Sequence, residues 1–237
     1  MIRRENPRPA LSKERRNEDG HPTALSKERR NEDGHPTATM RQSMMQLLNR
    51  LGWLACVVYS TIPCFWFLVH PWADHWRSRR RSPYRVLLPA WAAMWVVMAL
   101  GTARWRLVAL YSSGWTWVPA LLLFGIGLWL YSQSSKNFSA QQLGGLPEVM
   151  SGHGEQRLVT TGIRTRVRHP VYLAHLCEMV AWSIGTGLAV CCGLTAFAVV
   201  TGAVMIRMED RELEARFGEE YRRYKVRVPA VMPKLGG

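Results

Sequence analysis

The stretch VYLAHLCEMVAWSIGTGLAVCCGLTAFAVVTGAVMI, residues 171–206, decides how this chain folds. It is almost unbroken apolar sequence, and about 20 such residues suffice for one helical crossing of a bilayer. The run is therefore too long for one span. Gly185-Thr186-Gly187 supplies the break, so the pattern predicts two helices, about 171–185 and 188–206. The first is short and is expected to tilt, to lie partly at the interface, or to pack inside a bundle. Three apolar segments come before it, about 47–69 (with Pro63 in its later part), 84–102 and 107–131. The expected fold is an all-α, polytopic integral membrane bundle of about five transmembrane helices. The 11 tryptophans, several at the ends of apolar runs, suit the aromatic belts of membrane interfaces.

The remaining chain is polar. ALSKERRNEDGHPT stands at 10–23 and again, unchanged, at 24–37. Two copies of a polar 14-mer bury no core, and their composition predicts disorder. The expected organisation is a disordered tail over 1–46 and three transmembrane helices within 47–131. A cofactor-binding loop, a helical hairpin and a C-terminal helix occupy 132–237. The perfect repeat suggests a recent duplication in the coding DNA, with Met40 or Met44 as a possible translation start.

The formal charge is +14. The first 46 residues hold ten Lys/Arg and seven Asp/Glu, so most of the excess lies in short segments between apolar runs. One such loop, 74–85, carries Arg77, Arg79, Arg80, Arg81 and Arg85; another, 132–170, carries Lys136, Arg157, Arg164, Arg166 and Arg168. The positive-inside rule puts these loops and the C-terminus in the cytoplasm and, with five spans, the N-terminus outside. Arg41 and Arg50 run mildly against the last point. Few aromatics interleave with these arginines, so nucleic acid is not the expected partner. All five cysteines lie in apolar runs without CxxC spacing, which points to neither a metal site nor a disulfide framework.

Chemistry concentrates at two places. Pro170 suits the first turn of a helix, so Arg168 and His169 flank that helix's positive end, where free N–H groups and cations favour a carboxylate or phosphate. Tyr172, His175, Met179 and Trp182 share one face beyond it, and Glu178 is an ionisable group inside the apolar run. The alternative is structural, with arginines reaching headgroups and Glu178 neutralised by His175 or an arginine. The second place is Arg207, Glu209 and Asp210, where the last apolar helix emerges. Paired carboxylates there would hold an ammonium or a ribose diol, unless they are ordinary charge at a helix end. Together the two places suit a zwitterionic ligand. Glu209, Leu213, Phe217, Tyr221 and Tyr224 recur at helical spacing, which predicts an amphipathic helix on the membrane surface. Gly218 interrupts that helix, and Pro229 and Pro233 end its second part.

LVTTGIRTRVRHPVY (158–172), followed by EDRELEARFGEEYRRYKVRVPAVMP (209–233), resembles the isoprenylcysteine carboxyl methyltransferase family and its phospholipid-methyltransferase relatives. SKNFSA (135–140) extends the likeness upstream. The resemblance implies an integral membrane enzyme that uses S-adenosylmethionine, with a lipid-like or prenylated acceptor entering from the bilayer. It also implies that His169, Pro170, Tyr172, Glu209, Asp210, Tyr221 and Tyr224 contact the cofactor. Arg168, Arg207 and Glu209 are the implied catalytic groups, the two arginines supplying charge to cofactor or acceptor. No GxGxxG follows a predicted strand, in agreement with a site outside the nucleotide-binding α/β folds. Ile163-Arg164 replaces the family's usual Pro-Tyr, and Asp210 replaces its second Glu. A carboxylate acceptor needs no general base; an amine acceptor would give its proton to Glu178, Glu209 or His175. Phospholipid amine N-methylation and a non-catalytic membrane protein of the same fold are the alternatives.

Overall fold

A computed structural model describes residues 36–78, 82–136 and 158–232. Residues 1–47 and 48–237 separate as two compact units, and the helices below belong almost wholly to the second. The repeat as far as residue 35, Arg79, Arg80, Arg81, Arg157, most of SKNFSA and Pro233 lie outside the described residues.

Among the described residues seven α-helices succeed one another: α1 (Pro36–Val69), α2 (Ala73–Arg77), α3 (Tyr84–Thr102), α4 (Trp117–Ser135), α5 (Pro170–Thr186), α6 (Ala189–Phe217) and α7 (Glu219–Arg227). Short 3-10 turns at His70–Trp72, Ala103–Trp105, Gly114–Thr116 and Gly162–Thr165 join them. No strand occurs among the described residues; there is one isolated bridge, between Ala109 and Leu188. Four of the described helical stretches are long and apolar enough to cross a membrane: Thr39–Trp72, Tyr84–Trp105, Gly114–Ser135 and Ala189–Phe217. Outward-facing apolar side chains are what lipid, not water, would solvate, and α3, α4 and α6 present many: Val97 is 70% exposed, Leu122 67% and Val200 65%.

The fifth expected span is the exception. α5 has 17 residues, about 25 Å of helix, which is short of a hydrocarbon layer about 30 Å thick. Its Ala174, Glu178, Met179, Ala181, Ser183 and Gly185 are buried. α4 lies along it, and Gly127 permits the approach: a Cβ there would sit 3.0 Å from Glu178 Cγ and 3.3 Å from the Ala174 carbonyl oxygen. Small residues at such crossings let backbones close on one another. Trp53, Cys56 and Val57 of α1 complete a core with Met179, Leu188, Val190, Cys191 and Leu194.

Three boundaries differ from the sequence reading. Helix α1 begins at Pro36, not near 47, because Met40, Gln42, Met44, Met45 and Gln46 are good helix formers that carry the helix back ahead of the apolar run. The third span starts at the turn Gly114–Thr116, not at 107. Ser113 caps that turn by accepting from the Trp115 N–H, and the residues before it are held elsewhere: Leu110 N–H donates to the Gly187 carbonyl (2.8 Å), and Ala189 N–H donates to the Val108 carbonyl (3.0 Å). Finally, α6 runs without interruption from the apolar segment through the acids to Phe217. Gly218, at φ 57°, then separates it from α7.

The break at 185–187 has its own support. Gly187 adopts φ 65°, and a Cβ on it would meet the Tyr111 carbonyl oxygen at 2.4 Å. The α3–α4 connection therefore clasps the α5–α6 turn at one end of the bundle. Residues 162–170 and the end of α6 lie at the other end of α5 and α6.

Candidate active site

The arginine and histidine before α5 meet the acids of α6. Arg168 Nη2 donates to Asp210 Oδ2 at 2.7 Å, and Arg168 Nη1 donates to the Lys225 and Val228 carbonyls at 3.1 and 2.5 Å. His169 stands between two carboxylates, with Nδ1 3.3 Å from Glu209 Oε2 and Nε2 3.3 Å from Asp210 Oδ1. Tyr221 of α7 donates to Asp210 Oδ1 at 2.5 Å. The backbone closes the arrangement: Arg168 N–H and His169 N–H each donate at 2.9 Å, to the Pro229 and Ala230 carbonyls respectively. The anion at the positive end of α5 is thus the chain's own Asp210–Glu209 pair.

These contacts fix the charges. Burial works against a proton on His169, but the carboxylates of Glu209 and Asp210 outweigh it and push its pKa from 6.5 up to about 9. Burial, followed by the bond to Asp210, raises Tyr221 above the ordinary phenol range, so it remains a donor. Asp210 is the more enclosed acid of the pair, its side chain 7% exposed, whereas that of Glu209 is 25% exposed.

The sequence candidates separate into groups. Arg168, His169, Glu209, Asp210 and Tyr221 come together. Pro170 is buried in the first turn of α5. Tyr224 stands apart, donating to the Arg164 carbonyl at 2.8 Å. Tyr172 donates to Met205 Sδ at 3.1 Å, its ring centroid 6.3 Å from that of His169. Arg207 is exposed and outside the cluster. Tyr221 and Tyr224 are buried with Val228 against Leu158, Leu213 and Phe217, so the apolar side of α7 faces protein and not a membrane surface. Glu178 accepts from Tyr59 of α1, where His175 or an arginine had been the expected partner.

Sequence reasoning missed His70. Its turn packs on α6, its ring stacks on Trp66 at 5.1 Å, and it lies near enough to Glu209 and His169 to feel their charge. A signal was present: His70-Pro71 repeats the His169-Pro170 pairing at the edge of an apolar run. Lys225, 3.8 Å from Asp210 and bonded to Glu214, was also missed.

Beyond Tyr172 lies a cavity of about 340 Å³ between α1, α5, α6 and residues 231–232. Its walls include Ile62, Pro63, Met179, Val199, Gly202 and Ile206, with Tyr59, Tyr172 and His175 as its polar groups. Among the described residues no group of His, Cys, Asp and Glu is placed to hold a metal ion.

No family model matches the chain, and no solved structure does. It is similar to the human protein-S-isoprenylcysteine O-methyltransferase, 38% identical over 85 residues, which cover 34% of this chain and 28% of that protein. The cobalt-zinc-cadmium resistance protein CzcN of Cupriavidus metallidurans is 35% identical over 143 residues, 55% of this chain and 62% of CzcN. An uncharacterized protein of Haemophilus influenzae is 37% identical over 59 residues, 24% of this chain and 94% of that protein. The likeness to the human enzyme, on an all-helical fold with four membrane-length helices, is what a membrane methyltransferase would present. By its coverage of the Haemophilus protein the chain belongs to one family with it, a family for which that relative's name states no activity.

Proposed function

We propose that this protein is an integral membrane methyltransferase that uses S-adenosylmethionine and a lipid-like acceptor, its reaction being carboxyl O-methylation of the isoprenylcysteine type. One observation carries the reading: Tyr172 lies between the charged cluster and the apolar cavity, so a polar ligand and an apolar one have adjoining places. S-adenosylmethionine, when bound, supplies a methyl group already activated on a sulfonium.

The residues present fit that ligand's polar end. Glu209 offers a partly exposed carboxylate for an ammonium or a diol. The buried Arg168 Nε and His70 Nδ1 atoms have no hydrogen-bond partner, as donors or acceptors awaiting a ligand would. His169, held as a cation, orients Glu209, and Pro170 sets the start of α5 beneath it. Asp210 and Tyr221 brace the cluster through contacts already made within the chain, Tyr224 holds the nearby Arg164 carbonyl, and Arg168 adds fixed positive charge. Arg207, exposed at this end, is the arginine proposed to meet an acceptor carboxylate. Positioning and exclusion of water are the main demands of such a transfer. The arginine distribution, read by the positive-inside rule, supports a cytoplasmic location for this end of the bundle.

The test is transfer of labelled methyl from S-adenosylmethionine to an S-farnesylcysteine by detergent-purified protein. Alkali-labile label marks a methyl ester, and alkali-stable label marks N-methylation. Calorimetry of S-adenosylmethionine binding with His169→Ala and Glu209→Ala accompanies it, and both variants are expected to lose at least tenfold in affinity. Absence of binding by folded wild-type protein in restored lipid would leave the non-catalytic reading.

A further inference from the structure

Helix α6 carries two faces past the end of its apolar run. One bears Glu209 and the buried Asp210, which meet His169. On another, Val200, Val204, Arg207 and Arg211 recur at steps of four, three and four, so they lie in one row along the helix. Val200 is 65% exposed and Val204 45%, and both arginines are exposed. At 1.5 Å per residue, Arg207 lies about 27 Å and Arg211 about 33 Å beyond Ala189, so the pair straddles the edge of a hydrocarbon layer about 30 Å thick. The row thus runs from lipid-facing valines into two cations at headgroup depth. The neighbouring acids are already engaged: Glu212 pairs with Arg216, and Glu214 accepts from Lys225 at 2.8 Å. Neither Arg207 nor Arg211 has an ion-pair or hydrogen-bond partner among the described residues. A guanidinium matches the oxygens of a phosphate with two parallel bonds. A free anion would use the arginines alone, whereas a phospholipid sets its phosphate on them and its chains along Val200 and Val204.

We infer that this face of α6 is a binding site for an anionic phospholipid of the adjoining leaflet, its phosphate held by Arg207 and Arg211. A zwitterionic headgroup brings its own ammonium up to the two arginines and is held less tightly. The inference rests on the membrane reading above and not on the proposed reaction. With five N–H donors, Arg207 serves this phosphate and an acceptor carboxylate without conflict.

The test titrates dioleoyl phosphatidylglycerol and dioleoyl phosphatidylcholine, which differ only in the headgroup, into detergent-purified protein without methyl donor, read by native mass spectrometry. Each arginine near a charged headgroup is worth about fivefold in affinity, so wild type is expected to prefer phosphatidylglycerol by roughly 25-fold. Arg211→Gln should bring that ratio to about fivefold, and the Arg207→Gln, Arg211→Gln double variant to near one, with thermal unfolding showing both variants folded. Arg104→Gln removes an exposed cation at the other end of the bundle and should leave the ratio unchanged. A diazirine in the lipid chain should label α6 between Phe197 and Met208. Equal binding of the two lipids by wild type, an undiminished ratio in the folded double variant, or an equal fall in Arg104→Gln would each overturn the inference. So would labelling confined to other helices, or release of the bound lipid by millimolar inorganic phosphate, which would mark a site for free anions. A lipid preference in protein that transfers no methyl group would uphold this inference and refute the proposed reaction; methyl transfer by protein without the preference would do the reverse.

Discussion

Asp210→Asn is the most direct probe of the cluster. The substitution keeps the side chain's shape and removes its charge. Asp210 receives Arg168 at 2.7 Å, His169 at 3.3 Å and Tyr221 at 2.5 Å, with its own side chain 7% exposed and that of Arg168 8%. Removing one member of a buried ion pair costs about 3–5 kcal/mol, because the other charge stays buried without compensation. Here the lower figure applies, since Arg168 still donates to the Lys225 and Val228 carbonyls. Lys225, at 3.8 Å and 36% exposed, is screened by solvent and adds little. A loss of about 3 kcal/mol corresponds to roughly 6–12 °C in Tm for a chain of this size. Thermal unfolding in detergent, followed by circular dichroism at pH 7, reads the effect. The same substitution should drop the His169 pKa from about 9 toward 6.5, visible by nitrogen NMR of labelled histidine. A Tm within about 2 °C of wild type, with the His169 titration unmoved, would refute the reasoning and reduce the contact to a surface-like pair worth under 1 kcal/mol.

Three further outcomes are expected. His169 has its pKa raised on folding, so its contribution is fully present below pH 6.5 and is lost as pH rises through about 9; unfolding between those limits should give up about 3 kcal/mol, and a flat profile would contradict the pairing with Glu209 and Asp210. Gly187→Ala forces a left-handed φ on a residue with a Cβ and drives that Cβ onto the Tyr111 carbonyl, costing about 3 kcal/mol or more, whereas Gly125→Ala, with open space around it, should stabilise α4 by up to about 1 kcal/mol; paired unfolding curves check both. Arg207→Ala should leave stability within about 0.5 kcal/mol, as its side chain is exposed, but raise the KM for a carboxylate acceptor, which labelled-methyl kinetics would measure.

The sequence made the helices legible because apolar length and glycine punctuation are local properties. The span at Tyr84–Thr102 and the break at 185–187 arise from residues within one or two turns of themselves. The start of α4 was not legible in this way. Residues 107–113 are as apolar as a span, and what takes them out of the helix is a pairing with Gly187 and Ala189 some 80 residues further on. The same limit applies at the site. Charge near the start of α5 and acid after the apolar run of α6 stood out singly. That Arg168 faces Asp210, that Glu178 bonds Tyr59 and that the His70 turn packs on α6 are long-range facts, which helical spacing does not carry. Gly218 was correctly read as an interruption, yet the helix before it absorbed both the span and the acids, because nothing between Ile206 and Phe217 breaks a helix.

The backbone carbonyls that hold Arg168 belong to residues as much as 60 positions later in the chain. During synthesis at about 5–20 residues per second, roughly 3–12 s pass between the appearance of that guanidinium and of Val228. Asp210 follows Arg168 by 42 residues, so for most of this interval, while α5 and most of α6 leave the ribosome, the arginine has neither its carboxylate nor its carbonyls. A cation left without partners favours water and headgroups over hydrocarbon, so the start of α5 is kept at the bilayer's edge until α7 docks. The cluster thereby closes only after the residues of α5, α6 and α7 have all been made.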